Sequence, residues 1–328
     1  MLIASAPDPF FVVLLALIID LAFGDMERVF RVLPHPVVLA GNAIAFFDKR
    51  LNRADRSERA RRVRGLITVS VLVGGAAALG WAASGYVRVV HFGWGIEALI
   101  VAVLLAQRSL FEHVAAVARG LQSGGLDAGR QAVAKIVGRD PESLDGHGVA
   151  RAAIESLFEN FSDGVVAPVF WYVLLGLPGL FAYKTANTLD SMIGHRSPKY
   201  LHFGWAAARF DDALNAIPAR LSALIICAAA LAIPEAQAGH GFGAMLKDAR
   251  KHRSPNAGWP EAAAAGALGL ALGGPRVYGG AAAPEPWLGD GRARATLADI
   301  AAALKLYLAA AACLALLLLG GAAARQFL

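Results

Sequence analysis

Three uncharged runs, 65–87, 164–183 and 306–324, are each long enough to cross a lipid bilayer as a helix. That length constrains the fold more than any other feature. A chain with such runs buries its backbone polar groups in helices, because a bilayer offers no water to satisfy them. Hydrophobic residues make up 57% of the 328 residues. Shorter apolar runs at 9–19, 98–106, 221–234 and 262–275 suit core helices, tilted helices with polar ends or re-entrant segments. Alternating Val/Ile/Thr strands are lacking. The expected fold is all-α: a polytopic integral membrane helical bundle with four to seven embedded helices.

The chain reads as one membrane-embedded domain over 1–328. Within it, 107–161 is a polar, helix-compatible cytoplasmic insertion marked by the turn signals Ser123-Gly124-Gly125 and Gly138-Arg139-Asp140-Pro141. The stretch 273–291, rich in Gly, Pro and Ala, reads as a flexible loop. The N-terminal apolar run lacks a basic leader and a small-residue cleavage site, so it reads as a retained first helix rather than a secretory signal. Run 164–183 carries Pro168, Gly176, Pro178 and Gly179. Proline removes a helix hydrogen bond, and a bent or re-entrant segment is preferred here to a straight span.

The net charge of +6 is local. Eight basic residues between Lys49 and Arg64 face two acids, directly before run 65–87. The positive-inside rule places this collar in the cytoplasm. No aromatic interleaving accompanies it, so nucleic acid is not the expected partner. Cys227 and Cys313 have no metal or CxxC spacing and read as buried small hydrophobes.

Polar residues gather in five groups beside Gly or Pro. The first holds Asp20, Asp25 and His35. The second holds Arg151, Glu155, Glu159, Asn160 and Asp163, whose three acids, four residues apart, share one face of a regular helix. The third is Lys184, Asn187, Asp190, Ser191, His195, Arg196 and Lys199. The fourth is Arg209, Asp211, Asp212, Asn215 and Arg220, and the fifth Ser254, Asn256 and Glu261. Singly, such groups are often solvated ends, caps or ion pairs. Together, against apolar segments, they are functional candidates. Acids with amides suit a hard cation such as Mg²⁺, and Lys or Arg beside them suits phosphate. P-loop, zinc-protease and serine-hydrolase signatures are absent.

The segments ESLFENFSDGVVAPVFW, YKTANTLDSMIGHR, FGWAAARFDDALNAIPARL and SPNAGWPEA, with DLAFGD and LPHPV near the start, resemble the CobD/CbiB family, the adenosylcobinamide-phosphate synthases of cobalamin biosynthesis. The likeness runs in register from about residue 14 to 274. It implies a multi-pass enzyme of the inner membrane with its active site facing the cytoplasm. It further implies an amide bond between adenosylcobyric acid and (R)-1-aminopropan-2-ol phosphate, or aminopropanol, driven by ATP with Mg²⁺. On that reading Glu155, Glu159, Asp163, Asp190 and Asp212 are the metal candidates, with Glu155, Glu159 and Asp190 in the chemistry. His35 and His195 are candidate bases. Lys184, Asn187, Arg196, Lys199, Arg209, Asn215, Asn256 and Glu261 are candidates for phosphate and substrate. Trp171, Tyr172, Trp205 and Trp259 are candidates to pack on the corrin ring or to anchor at the interface. The alternatives are an AmpE-like membrane signalling protein and a small-molecule transporter.

Overall fold

The computed structural model describes residues 8–24, 26, 30–31, 34–138, 140–278, 281–283 and 285–326. It is helical almost throughout, as the apolar runs require. Helices α1 (Pro9–Phe23), α2 (Pro36–Leu51), α3 (Glu58–Val89) and α4 (Gly93–Leu104) come first, then α5 (Gln107–Ser123), α6 (Gly125–Val133) and α7 (Gly146–Phe161). A π-helical turn, Ser162–Val166, joins α7 to α8 (Ala167–Ile193). After it follow α9 (Trp205–Leu214), α10 (Ala216–Ala230), α11 (Ala238–Asp248), α12 (Gly258–Leu268) and α13 (Leu297–Arg325).

Among the described residues four helical stretches are long and apolar enough to cross a membrane: Glu58–Val89, Gly93–Ser123, Gly146–Ile193 and Leu297–Arg325. The pair α9 and α10, bent by 46°, makes a fifth if it counts as one span. This is the polytopic helical protein expected, at the low end of the expected count. Stretch Gly93–Ser123 runs into the segment read as polar insertion, since the apolar run of α4 continues into the half-apolar α5.

The chain forms two compact units. One comprises Met1–Ala106, Ala167–Asn215 and Leu318–Leu328; the other comprises Gln107–Val166 and Ala216–Leu317. Segment 107–161 therefore packs with 216–317.

In the first unit, Ile44, Val69, Val73, Leu189, Ile193 and Phe203 form a core between α2, α3, α8 and the turn before α9. Helix α3 starts under the cap of Ser57, whose Oγ accepts the Ala60 N–H at 3.3 Å. Only 17% of its most apolar window is buried, so most of its flank is left for lipid. Two glycines let it approach its neighbours closely. A Cβ on Gly65 would overlap the Phe203 carbonyl, and one on Gly80 would sit 2.6 Å from the Leu177 carbonyl. Gly80 thus meets α8 beside its break. There Gly176 takes φ 66° and ψ −154°, outside the helical region and open to glycine, and Pro178 follows. The expected bend in run 164–183 is therefore present, centred on Gly176 rather than Pro168, which sits in the first turn of α8.

In the second unit, Ala262, Ala263, Ala264, Ala265 and Ala267 of α12 are fully buried. Small residues let helices touch through their backbones: a Cβ on Gly266 would overlap the His240 carbonyl of α11. The stretch read as a flexible loop instead pairs into β1 (Leu272–Gly273) with β4 (Trp287–Leu288), and β2 (Arg276–Tyr278) with β3 (Ala281–Ala283), both antiparallel. Its glycines supply the positive φ of the turns, Gly273, Gly274 and Gly289 among them, so composition that suggested looseness serves a hairpin.

Candidate functional site

The end of α8 and the start of α9 bring the third and fourth polar groups together. Asp211 is buried, and its carboxylate takes two amides: Asn215 Nδ2 donates to Oδ2 at 2.9 Å and Asn187 Nδ2 to Oδ1 at 3.4 Å. Asn215 is itself fixed by Tyr183, whose hydroxyl donates to Oδ1 at 2.9 Å. Asp211 lies within electrostatic reach of Asp190 and Asp212. Asp190 also feels Asp212 and His195, and Asp212 feels Arg209 and Arg196. The Arg209 to Asp212 contact is 3.7 Å. The C-terminus of α8 explains the posture of Asp190. Gly194 donates its N–H to the Asp190 carbonyl at 2.7 Å, and a Cβ on Gly194 would overlap Asp190 Oδ1. Glycine is what lets the carboxylate lie across the helix end.

Three acids, two amides, an exposed histidine and two exposed arginines therefore meet in this unit. Among the described residues, no group of three or more His, Cys, Asp or Glu converges as a metal cage. The donor set still fits Mg²⁺, which keeps several waters and takes one or two carboxylates plus phosphate oxygens.

The same unit holds three other candidates. Lys199 Nζ donates to Asp48 Oδ2 at 2.7 Å and to the Tyr200 hydroxyl at 2.6 Å, and this bonding to the carboxylate raises the affinity of the amine for its proton. Asn52 and Arg61 bond the Lys199 carbonyl. Lys199 thus ties α2 to the turn before α9. His35 caps α2, with Nδ1 accepting the Val37 N–H at 3.2 Å. The neutral ring then carries its proton on Nε2 and acts as a donor there. His35, Arg31 and Lys184 line one open cavity of about 610 Å³, together with Phe30 and Leu105 among others.

In the second unit Glu155 and Asp248 are each held by donors of their own. Glu155 is buried, and its Oε1 accepts the Gly273 N–H of β1 at 2.7 Å. Asp248 accepts Lys251 Nζ at 2.6 Å and the Gly289 N–H at 2.9 Å. Glu261, almost fully buried, lies 3.8 Å from His252 Nε2. Arg220 donates to Asn256 Oδ1 at 2.7 Å and stacks over Trp259 at 4.5 Å. Ser254 Oγ receives the N–H groups of Asn256 and Ala257 and so shapes the entry to α12. Arg151 donates to the Ala293 carbonyl at 2.5 Å. The acid trio does not present one face: Glu155 is buried, Glu159 exposed and Asp163 half-buried within the π turn. A π turn holds an extra residue, so Asp163 inside it leaves the four-residue period that Glu155 and Glu159 keep within α7.

The family described as CobD/Cbib protein matches residues 13–307. The chain belongs to the CobD/CbiB family. It is 55% identical over 296 residues to the cobalamin biosynthesis protein CobD of Sinorhizobium sp, covering 89% of this chain and 92% of that protein. It is 51% identical over 302 residues to the CobD of Rhizobium meliloti, covering 91% and 92%. With the CobD of Rhodobacter capsulatus it shares 47% over 289 residues, covering 88% and 90%. No solved structure gives a significant match.

On this CobD/CbiB chain the quoted motifs fall at element junctions. YKTANTLDSMIGHR runs off the end of α8, FGWAAARFDDALNAIPARL makes α9 and the start of α10, SPNAGWPEA leads into α12, and ESLFENFSDGVVAPVFW crosses the π turn. Asp25 lies outside the described residues. Sequence reasoning chose Asp212 for the metal set and passed over Asp211, although Asp211 is the residue four before Asn215 and so faces it. Tyr183 carried no signal beyond sitting one helical turn before Asn187. Tyr172, a candidate to pack on the corrin ring or to anchor at the interface, is 2% exposed and donates to buried Glu97 at 2.9 Å, so it faces the protein interior. Trp171 is tied by its indole N–H to the Leu214 carbonyl, while Trp205 remains half exposed.

Proposed function

We propose that the protein acts in cobalamin biosynthesis as adenosylcobinamide-phosphate synthase, joining adenosylcobyric acid to (R)-1-aminopropan-2-ol phosphate, or to aminopropanol, at the cost of ATP. The observation that carries this reading is the acid and amide cluster of Asp190, Asp211 and Asp212, beside Arg196 and Arg209, in a member of the CobD/CbiB family whose named relatives are cobalamin biosynthesis proteins.

The substrate carboxylate attacks the γ-phosphorus of ATP; the bond to the bridging oxygen breaks, ADP leaves and an acyl phosphate forms. The amine nitrogen then attacks the acyl carbon, the carbon–oxygen bond breaks and inorganic phosphate leaves. Mg²⁺, when bound, would neutralise phosphate charge. Asp190, Asp211 and Asp212, all of the first unit, are the side chains that would hold it. Glu155 is assigned chiefly to holding Gly273. Arg196 and Arg209 neutralise charge that develops on the transferred group. His195, beside Asp190, takes the proton of the amine; His35, with Nδ1 engaged as a cap, serves better as a donor to an anion. The cavity with Arg31, His35 and Lys184 suits the phosphate of a small amine substrate. Asn256 and Glu261 shape the segment that leads into α12. The active site faces the cytoplasm of the inner membrane, on the side of the basic collar.

The test is direct. The purified protein, given adenosylcobyric acid, aminopropanol phosphate and Mg-ATP, is expected to release a product of the mass of the amide, with one ADP per amide. No product with either aminoalcohol, or product without ATP, overturns the reading and favours a signalling protein or a transporter.

A further inference from the structure

A groove of about 580 Å³ opens at the head of α3, between that helix and the end of α2. Ser57, Arg59 and Arg64 are its polar lining, and Leu51, Ala60, Val63 and Ile67 its apolar lining. Arg59 is exposed and Arg64 half-buried, and neither guanidinium makes an ion pair or hydrogen bond among the described residues. The acids at hand are engaged elsewhere: Glu58 lies 3.3 Å from His202 and Asp55 3.8 Å from Arg56. Several other basic residues of the collar have neighbours of their own: Arg53 bonds the Arg50 carbonyl and Arg56 lies 3.8 Å from Asp55. Arg61 bonds Asn52, and Arg50 lies over Phe46. Beyond the groove the apolar stripe continues down the lipid-facing flank through Val71, 51% exposed, to Gly74, where a Cβ would meet nothing within 4 Å.

We propose that this groove is a binding site for one anionic phospholipid. The phosphate sits between Arg59, Arg64 and the Ser57 hydroxyl at the start of α3, where the helix dipole also favours an anion. One acyl chain lies along Val63, Ile67, Val71 and the channel left by Gly74. A phosphate without a chain leaves the apolar lining uncovered, and a zwitterionic lipid brings a cation against two arginines. Charge complementarity and the continuous apolar stripe together select a lipid that is both anionic and chain-bearing.

The test uses the full-length protein in detergent, titrated with phosphatidylglycerol or phosphatidylcholine and read by native mass spectrometry. Phosphatidylglycerol is expected to bind about tenfold more tightly. R59Q/R64Q is expected to bring it down to the phosphatidylcholine level, and Val63→Trp to weaken it by filling the chain seat. R53Q/R56Q, which removes equal charge outside the groove, is expected to leave it unchanged. Millimolar inorganic phosphate is expected not to displace it. Equal affinity for the two lipids, equal loss in both arginine pairs, no effect of Val63→Trp, or displacement by inorganic phosphate would each overturn the site.

Discussion

The polar groups of the two units are built on opposite plans. In the first, acids stand near acids: Asp190, Asp211 and Asp212 feel one another's charge, with arginines only at the edge. In the second, two buried acids have donors of their own: the Gly273 N–H for Glu155, and Lys251 and the Gly289 N–H for Asp248. Grouped carboxylates repel, and a fold keeps such an arrangement where a cation or charged substrate is to be received. Singly satisfied acids need no visitor; they fasten loops and turns. On the proposed function the contrast would separate a receiving site from a scaffold, although both come from similar-looking motifs.

The sharpest way to break this contrast is at the acids. Asp190→Ala and Asp211→Ala are expected to lower turnover by on the order of 10³-fold, with membrane insertion intact. Amide yield per folded molecule is the measurement, and near-normal turnover in both would dissolve the receiving site. A gentler push comes from Gly194→Ala, whose added methyl meets Asp190 Oδ1 and the Asp190 main-chain carbonyl. A loss of about 10²-fold in kcat is expected. In the second unit the balance should reverse. Glu155→Ala strands the buried Gly273 N–H and is expected to cost about 1–3 kcal/mol of stability. Glu155→Gln keeps an acceptor oxygen and is expected to retain both fold and activity. If Glu155→Gln is stable yet inactive, its charge belongs to the chemistry and the contrast fails. The smallest effect is expected for Tyr183→Phe. Losing its hydrogen bond to Asn215 removes about 0.5–1.5 kcal/mol of support behind Asp211, read as a modest fall in kcat with little change in KM.

Much of the architecture is legible in the sequence because hydropathy maps directly onto span length. Runs 65–87 and 306–324 lie inside α3 and α13. What escapes is whatever depends on a departure from regular geometry. The four-residue spacing of Glu155, Glu159 and Asp163 assumes an unbroken α-helix, and the π turn takes Asp163 out of it. Proline was the natural suspect for the bend in α8, yet the dihedral break belongs to Gly176, two residues before Pro178. Alanine in α12 reads as weakly apolar, while its real use is to let neighbouring backbones touch. Of the site, the residue types and their order along the chain were readable. The choice between adjacent Asp211 and Asp212 was not, because it turns on which side of α9 faces Asn187.

Gly65 and Gly80 seat α3 by main chain against main chain. A joint of that kind has no charge to screen and no proton to lose. Added salt that strips a lipid from the arginines at the helix's head has nothing to act on farther along, so the helix keeps its place while its lipid comes and goes.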